Sequence, residues 1–213
     1  MALKNTLDAP WMKWGPPVGK YIFSEILSRG SQRGILPGRS QEAINWYRDT
    51  ARSYKNVDRN KLTQQRSQFR NKIIPGSMYM FAYYAKHAET LPYWDAFPII
   101  FPVSMYDDGF LGINFHYLPP RLRAVLMDKL YTIVNDPMLT EHAKIKLTWS
   151  MLNSVVRDKL FAPCVKRYLY SQFRSKFIYV DPDSWDIALF LPTENFQKAS
   201  NQKVWAASRR KIS

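Results

Sequence analysis

The chain has 213 residues, 46% hydrophobic and 15% aromatic, with 31 Lys/Arg against 17 Asp/Glu and a formal net charge of +14. That length buries one sizeable core with room for one further small module. Its single cysteine, Cys164, excludes an intramolecular disulfide and suits a reducing compartment.

The positive charge lies at the ends. Residues 1–74 carry fourteen Lys/Arg against five Asp/Glu, residues 75–196 carry twelve of each, and residues 197–213 carry five Lys/Arg and no acid. Cationic segments bind polyanions by releasing counterions. A neutral, aromatic-rich body between two basic arms points to a binding or assembly protein rather than an enzyme. The expected organisation is a basic N-terminal arm with short helices (1–74), a compact domain (75–196) and a basic C-terminal tail (197–213).

Residues 1–20 are proline-broken and carry Lys4, Asp8 and Lys13 with no apolar core segment, so no signal peptide is expected. Trp11 and Trp14 are unusual in such a segment, and they are expected to anchor a partner, against the alternative that they fold back on the body. A short helix is predicted around Lys20–Arg29, ended by Gly30 and Gly34. Ser40 is placed to cap a second helix from Gln41. Residues 55–74 are polar and basic with few apolar anchors. Arg48, Arg52, Arg59, Arg66, Arg70 and Lys72 are therefore the candidate DNA-phosphate contacts, against the alternative of a solvated helix face.

At Pro75-Gly76 the texture changes. Strands are predicted near 78–84, 97–103 and 110–117, with a turn at Asp107-Asp108-Gly109. Pro98 and Pro102 cannot donate to a ladder, which predicts an edge or a bulge. Asp95, between Trp94 and Phe97, reads as a buried hydrogen-bond acceptor. Pro119-Pro120 opens a helix over 120–135, with Leu122, Val125, Leu126, Leu130, Ile133 and Val134 on one face. A second helix, 140–160, starts with Thr140 as N-cap. Its predicted apolar face is Ile145, Trp149, Leu152, Val156 and Leu160, with Leu147, Met151 and Val155 beside it. Further strands are predicted near 176–181 and 186–191. The fold class is thus α+β: a curled antiparallel sheet, small and barrel-like, packed by two helices, with extended basic N- and C-terminal arms. In the C-terminal tail, Trp205 is a third candidate partner anchor.

Chemistry is sparse. His87, His116 and His142 have no partner at metal spacing, and no metal site or cofactor is predicted. No phosphate-binding glycine loop and no nucleophile elbow occurs. His116 as a base is weighed against a structural strand histidine, which is the commoner case. A metal-dependent nuclease would need clustered carboxylates. The candidates are Asp107-Asp108 and Asp181/Asp183/Asp186, and both groups read as ordinary turns. No run of apolar residues is long enough to span a membrane.

The block PGSMYMFAYYAKHAETLPYWDAFPIIFPVSMYDDGFLGINFHYLPPRLRAVLMDKLY (75–131), with FAPCVKRYLYSQFRSKFIYV (161–180) and DSWDIALFLPTENFQKASNQKVW (183–205), resembles virion proteins of T4-like tailed phages, the DNA end protector family. The resemblance covers about residues 45–210. It implies a non-enzymatic virion protein, assembled in the host cytoplasm, that binds the packaged genome end and helps complete or stabilise the particle. Its implied partners are double-stranded DNA and other virion proteins in an assembly-dependent oligomer. A purely structural neck, tail or baseplate component is the alternative that it leaves open. The resemblance carries over no catalytic residue.

Overall fold

The computed structural model describes residues 22–34, 69–70, 72–182, 185 and 194–212. The protein is α+β. Its antiparallel sheet takes in β1 (Phe69–Arg70), β2 (Met78–Met80), β4 (Ile99–Tyr106), β5 (Gly109–Asn114), β6 (Val165–Leu169) and β7 (Phe177–Val180), in the spatial order β1-β7-β2-β4-β5-β6. A separate two-stranded ladder joins β3 (Trp94–Asp95) to β8 (Phe196–Gln197).

Two-residue periodicity splits the strands between two cores. Met78, Met80, Ile99, Phe101 and Ile113 face the helices. Tyr79, Phe81, Ile100, Phe110 and Tyr168 face the other way into a mostly aromatic cluster. There Phe81 meets Phe173 at 4.6 Å and Tyr168 at 5.4 Å between ring centroids. Aromatic pairs of this kind add about 0.5–1.5 kcal/mol each beyond their burial.

The sheet is open, not barrel-like. β1 and β6 stand at its two ends and do not pair. Strands of two and three residues at β1 and β2 give too little length for the tilt and stagger that closure requires. β4 is an interior strand, and Pro102 is accommodated by a register shift between Pro102 and Ser104. The bulged Val103 carbonyl accepts from Trp149 Nε1 at 2.8 Å.

Four helices flank the sheet among the described residues: α1 (Ile22–Gln32), α2 (Pro120–Val134), α3 (Glu141–Val156) and α4 (Asn201–Ile212). α2 begins on Pro119-Pro120 and buries Ala124, Leu126, Met127 and Leu130. Thr140 caps α3, its hydroxyl accepting from Ala143 N at 3.3 Å. The buried line of α3 is Thr148, Met151, Leu152 and Val155. The predicted face is therefore rotated: Trp149 is 39% exposed, while its indole N–H donates to the Val103 carbonyl. Each fully buried Leu here contributes about 1.5–3 kcal/mol relative to exposure.

α1 runs through Gly30, which is buried, and ends at Gln32, two residues before Gly34 with φ +69°. The predicted C-terminal arm is not extended, since residues 201–212 form α4, docked through Val204 and Ser208. The predicted helix after Ser40 and strand near 186–191 lie outside the described residues.

Candidate nucleic-acid interface

Of the candidate DNA contacts, Arg70 and Lys72 are described, and both are exposed. Arg70 sits in β1 at one end of the sheet, opposite Phe177 of β7, and its guanidinium lies 5.8 Å from the Tyr179 ring centre. Arg48, Arg52, Arg59 and Arg66 lie outside the described residues, as do Trp11 and Trp14. Trp205 lies in α4. Its indole N–H donates to His116 O at 2.8 Å, and Arg123 lies 5.4 Å from its ring centre. The structure thus brings Arg70 and Lys72 to one edge and sets Trp205 against the helical side.

At the opposite end of the sheet is a second cationic face. β6 carries Lys166 and Arg167, and α4 packs on the 3-10 segment Lys159–Cys164 that leads into β6. The last turn of α4 holds Arg209, Arg210 and Lys211. Cations there are favoured by the partial negative charge of a helix C-terminus. Lys166 is half-buried, with its ammonium 4.1 Å from the Tyr117 ring centre. Burial, with the nearby Lys211 charge, pulls its pKa down to about 8. Arg167 is differently placed: it pairs with Asp108 and lies over Tyr106 at 4.4 Å.

Between the sheet and α2 lies a buried polar knot. Asn114, at the end of β5, accepts from His116 N at 2.9 Å through its side chain, which turns the chain into the 3-10 turn Phe115–Tyr117. His116 Nδ1 then meets Asp95 Oδ2 at 2.6 Å. The same carboxylate oxygen accepts from Asn114 Nδ2 at 2.9 Å, and Oδ1 accepts from Phe97 N at 3.1 Å. Burial raises the Asp95 pKa. The opposing pull of His116, Asn114 and the Phe97 amide prevails and holds it below the usual carboxylate range.

The knot extends through Arg123, which donates from Nε to Leu118 O at 2.7 Å and from Nη2 to His116 O at 3.0 Å. Arg123 also pairs with Glu194 at 2.6 Å, both side chains buried. Asp95, His116 and Arg123 are 3%, 0% and 0% exposed. A His–Asp pair so placed is shut off from solvent. It ties β3, β5, α2, α4 and the approach to β8 together.

Of the carboxylates weighed for metal binding, Asp107, Asp108 and Asp181 are described. Asp107-Asp108 form the two-residue turn between β4 and β5, and Asp108 is engaged by Arg167. Asp183 and Asp186 lie outside the described residues. Among the described residues no three His, Cys, Asp or Glu groups gather at a metal-binding distance. Cys164 is buried, donates to Phe161 O at 2.9 Å and has its thiol pKa pushed up to about 12 by burial, which suppresses thiolate chemistry. No helix among the described residues is long and apolar enough to cross a membrane.

The β6–α4 face was not among the predicted sites. Its signals were present in sequence: Ser200, whose hydroxyl accepts from Lys203 N at 3.3 Å, is a helix-capping residue type, and Arg209-Arg210-Lys211 suits a last helical turn.

Comparison with known families gives a match to the Phage T4 terminal DNA protecting protein over residues 37–210. No curated protein and no solved structure matches.

Proposed function

The chain belongs to the family of the Phage T4 terminal DNA protecting protein, and from that membership we propose that it binds the end of a packaged linear genome and shields it from exonuclease without enzymatic activity of its own. The observation that carries this reading is the family match, which spans the whole described body from β1 through most of α4. The charge distribution supports it. Basic residues cluster in the N-terminal part and at the two ends of the sheet, where phosphates on either side of a duplex terminus are the natural counter-ions.

In this reading Arg48, Arg52, Arg59, Arg66, Arg70 and Lys72 meet the DNA backbone. Trp11, Trp14 and the exposed part of Trp205 meet other virion proteins, and the protein oligomerises on assembly. Residues 75–196 act as the body on which the basic N-terminal part is mounted. The protein resides in the virion, having assembled in the host cytoplasm.

The test is an end-protection assay. Blunt linear DNA is incubated with the purified protein and then with a processive exonuclease. Protection is expected to saturate at a fixed number of proteins per end, whatever the DNA length, with no cleavage in Mg²⁺ alone. Closed circular DNA that competes as well as linear DNA would refute end recognition. Cleavage abolished by Asp107→Asn would restore the nuclease reading. Incorporation into particles without any DNA binding would favour the purely structural reading.

A further inference from the structure

We infer that Lys166 on β6 and Lys211 on α4, the helix packed on the 3-10 segment that leads into β6, form a phosphate-binding site for the backbone of double-stranded DNA. This rests on the end-binding reading above and gives it a second contact face, at the sheet end opposite Arg70 and Lys72.

The argument starts from the electrostatic cost of Lys166. Its ammonium is half-buried over the face of Tyr117, and burial of an uncompensated charge is unfavourable. The ring offsets part of that cost. The other groups that act on it are the Cys164 thiol, which is neutral and buried, and the Lys211 ammonium, which repels it. Among the described residues no carboxylate lies within ion-pair distance of Lys166 or Lys211.

Three cations elsewhere in the fold have acidic partners. Arg123 has Glu194, Arg167 has Asp108 and Lys144 has Glu141. A methionine at position 166 would satisfy the same packing without the charge. Two like charges held together, one of them partly desolvated, are a liability to the fold and a ready site for an anion. Lys166 is fixed in direction by Tyr117, whereas Lys211 is exposed at the helix end, so the pair offers one rigid and one adaptable donor. Arg209 extends the positive field along the last turn of α4. The site reads no base and predicts sequence-independent binding.

The experiment measures binding of a blunt-ended duplex as a function of salt for the full chain, for Lys166→Met and for Lys211→Gln. Lys86→Gln controls for net charge from a different part of the surface. Both test variants should remain folded, with Lys166→Met melting at or above the parent temperature. Each should lower the log–log salt slope by about 0.9, the value for one phosphate no longer neutralised, equally for unrelated sequences, while the control leaves the slope unchanged. Parent-like slopes and affinities in both folded variants would overturn the site and leave end binding intact. A parent chain that binds no duplex would overturn end binding and this site with it. Binding of inorganic phosphate with no change in the duplex slope would also overturn the DNA assignment.

Discussion

Asp128 on α2 caps α1 from 104 residues away through Ser24. Its Oδ2 accepts from Ser24 N at 3.1 Å and from Ser24 Oγ at 2.5 Å, and Oδ1 accepts from Phe23 N at 2.8 Å. The first amides of a helix lack partners within it, and an anion there is also favoured by the helix dipole. A cap that is normally local is supplied across the fold, so the docking of α1 depends on it. Phe23 and Ile26 complete the contact by burying against the helical core.

Asp128→Ala should therefore destabilise the protein by about 1–2 kcal/mol, as removal of a cap does. The loss should be local. Protease cleavage within residues 22–34 should accelerate while hydrogen exchange in β4 and β5 stays slow. Ser24→Ala, which removes one of the three bonds, should show a smaller effect in the same direction.

The Asp95–His116 knot makes a pH prediction. The Asp95 pKa is depressed in the folded chain, so the unfolded chain binds more protons in the acid range. Its contribution is complete above the ordinary carboxylate pKa and is lost as pH falls through the folded value. The Glu194 pKa is also depressed; burial raises it, but Arg123 and His116 outweigh that effect. Urea midpoints should fall steeply as pH is lowered below about 4, near the unperturbed carboxylate values. Asp95→Asn should be less stable at neutral pH and show a flatter acid limb; an unchanged acid limb would show that the knot is not the titrating unit.

Gly109 predicts a steric failure. A Cβ there would lie 1.9 Å from Tyr168 O and 2.9 Å from Leu169 Cα, both backbone atoms of β6. Gly109→Ala must separate β5 from β6. A loss of more than about 2 kcal/mol is expected, given the size of overpacking penalties. Slow exchange should be lost at the β5–β6 amides before the β2–β7 amides.

Much of this architecture is legible in local sequence. Pro119-Pro120, Asn135 and Thr140 mark the ends of α2 and α3 because proline geometry and side-chain capping act within one turn. Asp95 reads as a buried acceptor because it stands between Trp94 and Phe97 in an apolar setting. What sequence conceals is set by distant groups. Asp128 as a cap, Trp149 turned toward a bulged carbonyl and the pairing of Arg123 with Glu194 all join residues far apart in the chain. β3 and β8 are two residues each, too short for any periodicity. Lys166 reads as one basic residue among many until Tyr117 and α4 are seen around it.

Lys166 also makes a stability prediction in alkali. Its pKa falls from 10.5 unfolded to about 8 folded. Between those values the unfolded chain binds more protons, so this group adds stability as pH rises. The difference in urea midpoint between Lys166→Met and the parent should be largest below pH 8 and shrink toward pH 10.5. Taking the difference cancels the groups remote from Lys166, which titrate alike in both proteins. A constant difference across that range would mean that Lys166 stays charged in the fold.

The last prediction separates the two cationic ends of the sheet. Replacing Arg59, Arg66 and Arg70 by Gln should lower the duplex salt slope by about three units, close to one for each phosphate no longer neutralised. Adding Lys166→Met should lower it by roughly one more, because Arg70 in β1 and Lys166 in β6 stand at opposite ends of the sheet and the effects of remote sites add. Melting temperatures should barely move in the triple variant when these charges serve DNA rather than the fold. If Arg59, Arg66 and Arg70 instead grip acidic virion proteins, the triple variant keeps its duplex affinity and fails to enter particles. The Lys166 variant still drops by its unit of salt slope in that case. The four-substitution series therefore assigns each end of the sheet to DNA or to protein independently.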